Sequence, residues 1–121
     1  MNILIVDDSK EFRNAFKFML MEHFSDRYDE VYEAENGEEC LKIIKNYSVD
    51  IIFMDKQMPV MDGIKATKII VDQYRNIKVI ALSFHSELDD IKAMLEAGAR
   101  NYIIKEEITP DIIANCLNFI W

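Results

Sequence analysis

Residues 51–63 read IIFMDKQMPVMDG. Four apolar residues, Ile51 to Met54, run straight into Asp55, and Lys56, Gln57 and a Met-Pro pair follow. A short apolar run bounded by turn residues reads as a strand buried on both faces, as in a parallel sheet covered by helices. A carboxylate at the end of such a strand adds nothing to its packing. It either shapes the next turn or serves chemistry.

Working outward, Ile3–Val6 and Val79–Leu82 repeat the pattern, with a less apolar version at Val31–Ala34 and a short one at Tyr102–Ile104. Helical periodicity fills the intervals. Residues 9–24 carry Phe12, Phe16, Met19, Leu20 and His23 on one stripe. Asn36 with Glu39 forms a capping pair ahead of Cys40, Leu41 and Ile44. Asp62-Gly63 breaks the chain before a helix over Ile64–Tyr74 with Ile69 and Ile70 inward. Ser86 with Asp89 opens a helix carrying Ile91, Met94 and Leu95 that stops at Gly98. Thr109-Pro110 opens the last, with Ile112, Ile113, Cys116, Leu117 and Ile120. Five strands alternating with five helices imply right-handed crossovers and an α/β domain with a parallel sheet.

The chain of 121 residues is the size of one domain, and residues 1–121 are read as such. Its formal charge of −8 argues against a nucleic-acid contact by this domain and favours cations and basic partners. The start, MNILIVDD, has no signal-peptide pattern, and no apolar run approaches a membrane span. Cys40 and Cys116 lie in helical apolar patterns without metal spacing, which reads as buried free thiols and a cytoplasmic location.

In open α/β sheets, sites form at the carboxyl ends of the strands. Asp7 and Asp8 follow the first strand, Asp55 the third, Ser83 the fourth and Lys105 the fifth. Each alone has an ordinary reading: a turn acid, a first-turn helix acid, a loop hydroxyl, a solvated strand end. Together, three converging carboxylates repel one another, and a fold keeps them only if a cation or Lys105 offsets them. A hard cation such as Mg2+ suits Asp7 and Asp8. Asp55 can be both ligand and nucleophile, since carboxylates form acyl phosphates. Lys105 and Mg2+ would balance charge on a transferring phosphoryl group, and the Ser83 hydroxyl could donate to it.

ILIVDD, IIFMDKQMPVMDG, ALS (81–83) and AGARNYIIK (97–105) together resemble the receiver domain of two-component response regulators over essentially the whole chain. The resemblance implies a flavodoxin-like, doubly wound five-stranded parallel sheet in order 2-1-3-4-5 with five flanking helices. It implies Asp55 as phosphoacceptor, Asp7 and Asp8 as Mg2+ acids, and a metal contact from the Gln57 backbone carbonyl. Ser83 and Tyr102 match the switch pair, and Lys105 the family's lysine. A histidine kinase or phosphotransfer protein is the implied phosphodonor. The resemblance implies a domain that assists its own phosphorylation and slow dephosphorylation and is otherwise not an enzyme. The implied readout is the face of the fourth helix, fifth strand and fifth helix, which controls dimerisation or an output partner.

Some positions depart from the family's commonest pattern. Phe84 follows Ser83 where a small residue is usual, and Glu106 follows Lys105 where proline is usual. Both resemble the subgroup whose receivers precede helix-turn-helix output domains. A chain ending at residue 121 would act through protein contacts instead. Lys56 reads either as an exposed loop lysine or as a residue that tunes phosphoryl lifetime. Gln57 and His85 are expected to flank the phosphoryl group, with an exposed helix-start histidine as the ordinary reading of His85. Phe119 and Trp121 are partner contacts or pack against a further segment. Phe12, Ala15 and Phe18 form a candidate kinase-docking edge.

Three competitors differ in what they need. A haloacid-dehalogenase-like phosphohydrolase needs an acid where Gln57 stands. A nucleotide module needs a phosphate-cradling loop where DDSKEF stands. A degenerate, phosphorylation-independent receiver has no need of the five polar residues, all of which are present.

Overall fold

The computed structural model describes residues 1–118, apart from the side chains of His85 and Leu88. The expectations for Phe119, Ile120, Trp121 and the His85 side chain lie outside the described residues. Element order is β1 (Asn2–Val6), α1 (Lys10–Phe24), β2 (Glu30–Ala34), α2 (Gly37–Asn46), β3 (Ile51–Asp55), α3 (Gly63–Gln73), β4 (Lys78–Ser83), α4 (Leu88–Ala97), β5 (Asn101–Ile104) and α5 (Pro110–Asn118). The strands form one parallel sheet in the order β2-β1-β3-β4-β5, as the resemblance implies. Among the described residues, no helix is long and apolar enough to cross a membrane.

Successive side chains of a strand point to opposite faces, so an apolar run divides between two cores. Leu4, Val6, Ile52, Met54, Val79 and Ala81 face one side, where Cys40 and Ile44 of α2, Ala66 and Ile70 of α3 and Met94 of α4 meet them. Ile3, Ile5, Ile51, Phe53, Ile80 and Leu82 face the other, against Phe16 and Leu20 of α1 and Ile113, Cys116 and Leu117 of α5. Both cysteines are buried free thiols, one in each core, and burial pushes the Cys40 thiol up to about 12.

The N-cap assignments hold at two helices. The Asn36 side chain accepts the Glu39 N–H at 2.9 Å, Glu39 in turn accepts the Glu35 N–H, and Thr109 accepts from Ile112. Gly98 ends α4 at φ 118°, where only glycine is unstrained. At α4 the Ser86–Asp89 cap is not formed. A 3-10 turn, His85–Glu87, leads into the helix, and the capping position is Glu87 without a side-chain bond. Two stripe residues also face outward: His23 is exposed, and Leu95 is 40% exposed at the rim of the α4 stripe. Each lies at an edge of its apolar stripe, where one turn of helix no longer reaches the sheet.

Candidate functional site at the carboxyl edge of the sheet

The alternation that splits the core also builds the site. Ile3, Ile5 and Asp7 share one parity, as do Ile51, Phe53 and Asp55, and Ile103 and Lys105. All three polar residues therefore emerge at the α1–α5 face where the strands end. The Lys105 ammonium lies 2.6 Å from Asp7 Oδ2 and 3.5 Å from Asp55 Oδ1, and its side chain is only 6% exposed. The second Asp7 oxygen accepts the Ser9 N–H at 2.9 Å, and Ser9 caps α1 by accepting from Phe12. Phe12 and Phe84 place their ring centroids 4.6 and 4.9 Å from the Lys105 nitrogen, two cation–π contacts that fix the ammonium from the open side. Phe84 continues the parity of Ile80 and Leu82, which is why it lands there.

Asp8 completes the cluster: one oxygen from each of Asp7, Asp8 and Asp55 lies within 4.8 Å of the others. Asp55 is buried, and its acidity falls accordingly. Desolvation pushes its pKa up to about 7, Asp7 and Asp8 push the same way, and Lys105 pulls against them. A single ammonium thus leaves three clustered carboxylates under-compensated. Closely spaced hard oxygen donors facing an open cavity of about 440 Å³ suit a hard divalent cation. Gln57 and Phe84 line the same cavity.

Residues of the other parity point elsewhere. Ser83 follows Val79 and Ala81, and its hydroxyl lies 3.0 Å from the Glu87 carbonyl and 3.3 Å from that of Phe84, either of which can accept its proton. Tyr102, level with Ala81 on the edge strand, is 44% exposed. Lys56, one step past Met54 and Asp55, is not a free loop lysine: its ammonium pairs with Asp90 Oδ1 of α4 at 3.0 Å. Phe18 and Met21 are exposed on α1, with Phe12 half-buried beside them.

Two residues of this region were not singled out by sequence. Buried Arg13 donates from Nη1 to the Asp7 carbonyl at 2.7 Å and pairs with Glu33 of β2 at 3.0 Å, tying the first acid loop to the edge strand. Its position one turn after the Ser9 cap was the available signal. Asp90 had none in its local sequence.

The loop after Asp55 is cinched at both ends. The Gly63 N–H donates to the Lys56 carbonyl at 2.8 Å, and the Gly37 N–H of α2 donates to Met61 at 2.9 Å. Asp62 caps α3. At its tip Val60, 76% exposed, is held at φ 68°, a region that costs a β-branched residue roughly 1–2 kcal/mol. Val60→Asn is expected to stabilise the protein by about 1 kcal/mol, measured by urea unfolding, since asparagine tolerates this conformation. An unchanged or lower midpoint would show that the valine relaxes at no cost.

The sequence model of the response regulator receiver domain matches residues 3–116. Chemotaxis protein CheY of Halobacterium salinarum is 34% identical over 111 residues, which cover 92% of this chain and 89% of that protein. Transcriptional regulatory protein DegU of Brevibacillus brevis is 33% identical over 104 residues, covering 86% of this chain and 43% of that one. The chain spans about half the length of the transcriptional regulators it matches, 43% and 52% for the first two. Among solved structures, the receiver domain of sensor histidine kinase PA1611 from Pseudomonas aeruginosa, with a magnesium ion in its active-site cleft, aligns with TM-score 0.84 at 26% identity. The alignment covers 98% of this chain and 96% of that one. Sequence match, strand order and acid cluster agree, and the chain belongs to the response regulator receiver domain family of two-component signalling.

Proposed function

We propose that the protein accepts a phosphoryl group on Asp55 and so switches the protein surface around Tyr102. The observation that carries this is Asp55 itself, a buried carboxylate 3.5 Å from a fixed ammonium and clustered with two further acids. Asp7 and Asp8, with Asp55 and the Gln57 backbone carbonyl, would hold Mg2+. When bound, the cation neutralises phosphoryl oxygens and favours the ionised form of Asp55. A carboxylate oxygen of Asp55 forms the new O–P bond. The bond from phosphorus to the imidazole nitrogen of a histidine kinase or phosphotransfer protein breaks, and that histidine keeps the electron pair. Lys105, already held by Asp7, stabilises charge on the phosphoryl group as it moves. The chain acts on no second substrate. Its chemistry is its own phosphorylation and slow hydrolysis, with Gln57, Phe84 and His85 setting the lifetime of the adduct.

The switch follows from parity. Ser83 is bonded to the Glu87 carbonyl of the β4–α4 turn, and Tyr102 is turned outward. When the Ser83 hydroxyl donates to a phosphoryl oxygen, it releases that turn, and Tyr102 can move into the space. The output is homodimerisation or control of a partner, a DNA-binding domain where the chain is part of a longer regulator like DegU. The buried thiols fit a reducing, cytoplasmic setting.

Beryllofluoride with Mg2+ tests this as a phosphoryl mimic. Amide NMR shifts are expected at Ser83, the α4 turn and Tyr102 in the wild type and not in Asp55→Asn. Mg2+ binding without any beryllofluoride response would favour the degenerate, phosphorylation-independent reading.

A further inference from the structure

A lysine directly after Asp55 is electrostatically awkward. Lys56 lines a cavity of about 400 Å³ together with Asp8, Gln57 and Asp62, so it shares an opening with one of the acids proposed to hold a divalent cation. An unpaired amine there repels the cation, and a flexible four-carbon arm can also swing in and occupy its place.

The fold deals with this through α4. Asp90 Oδ1 takes the Lys56 ammonium at 3.0 Å, and its other oxygen accepts from Gln57 Nε2 at 3.4 Å. One carboxylate thus grips both residues that follow Asp55. The two side chains are 25% and 16% exposed. Asp62 and Glu87 add their negative charge to that of Asp90 around the Lys56 ammonium. These groups, with Asp8 across the cavity, are the charged groups facing Lys56 from the loop after β3, the β4–α4 turn, α4 and the loop after β1.

We infer that Asp90 is a positioning residue for the cation site: it is the counter-ion that draws Lys56 toward α4 and keeps its charge from opposing Mg2+ at Asp7, Asp8 and Asp55. This rests on the Mg2+ site proposed above. It also ties cation binding to α4, because any displacement of α4 that breaks the pair frees a competing ammonium beside the acids. A neutral residue in place of Lys56 would need no such partner.

The test is Mg2+ affinity by calorimetry on the phosphodonor-free protein, with thermal unfolding in EDTA as a control for folding. Asp90→Asn is expected to weaken Mg2+ binding about three- to tenfold, the effect of one uncompensated positive charge near a divalent cation in a high-dielectric pocket. Lys56→Met is expected to bind at least as tightly as wild type, and the double variant K56M/D90N to return to within about twofold of wild type. That rescue separates the counter-ion role from a structural one, since removing Lys56 cannot repair a misplaced helix. Asp90→Ser replaces D90N if the latter does not fold. Unchanged affinity in D90N, or a double variant as weak as D90N, overturns the inference while leaving the Mg2+ site standing. A wild type that binds no Mg2+ overturns the proposed function and this inference with it.

Discussion

Asp55→Asn stabilises the cation-free protein at pH 8 by about 2–4 kcal/mol, and by less than about 1 kcal/mol at pH 4. The folded protein holds the Asp55 proton up to about pH 7, against a reference carboxyl of 3.8. Burial is the main cause, reinforced by Asp7 and Asp8. A group whose pKa is raised by folding gives its full stabilisation below the unfolded value and loses it as pH climbs through the folded one. The loss therefore runs between about pH 4 and pH 7, where the wild type must bury a charge that asparagine never carries. Urea unfolding of both proteins in EDTA at the two pH values measures it. Saturating Mg2+ should narrow the gap at pH 8 by binding the folded wild type more tightly than the variant, which lacks one of the ligands. Equal gains at both pH values would mean that shape, not charge, separates the two side chains. No gain at pH 8 would mean that the Asp55 charge costs the fold nothing.

Gly63→Ala is the second large effect, and its cause is steric. A Cβ at Gly63 would collide with the Asp55 carbonyl oxygen and lie 3.0 Å from both the Asp55 carbonyl carbon and the Lys56 Cα. All three are backbone atoms at the end of a central strand, so no side-chain rotation relieves the clash. The first turn of α3 must retreat, weakening the Gly63–Lys56 hydrogen bond and withdrawing the loop that shapes the cavity. The expected cost is about 2–4 kcal/mol of stability, in the range of overpacked and backbone-strained sites. Phosphorylation should also slow by roughly a hundredfold, since about an ångström of misplacement at a reacting group has that effect. Stopped-flow phosphorylation and thermal unfolding measure the two. A variant that melts with wild type and phosphorylates at the wild-type rate would mean that the loop accommodates a methyl group.

The candidate site was legible in the sequence because it depends on a period of two. Residues 3, 5 and 7, residues 51, 53 and 55, and residues 103 and 105 carry Asp7, Asp55 and Lys105 to one face wherever their strands are paired. The strand order was not legible from periodicity and came only through the family resemblance. Helix edges were misread where stripe logic is weakest: His23 and Leu95 sit at the rim of their faces, and the 3-10 turn before α4 displaced the expected cap from Ser86. The same period of two sends Lys56 to the α4 face, but naming Asp90 as its partner needs the packing of a helix 34 positions further on, which no local pattern encodes.

In the proposed chemistry Asp55 takes the phosphoryl group with a cation's help. Intact-mass spectrometry after incubation with a small-molecule phosphodonor tests it most directly, in Mg2+ and in EDTA, with borohydride reduction to mark an acyl phosphate. One phosphoryl increment is expected in Mg2+, little in EDTA and none in Asp55→Asn, with reduction converting Asp55 to homoserine. An increment that persists in Asp55→Asn, or that maps to another residue of the wild type, would contradict it.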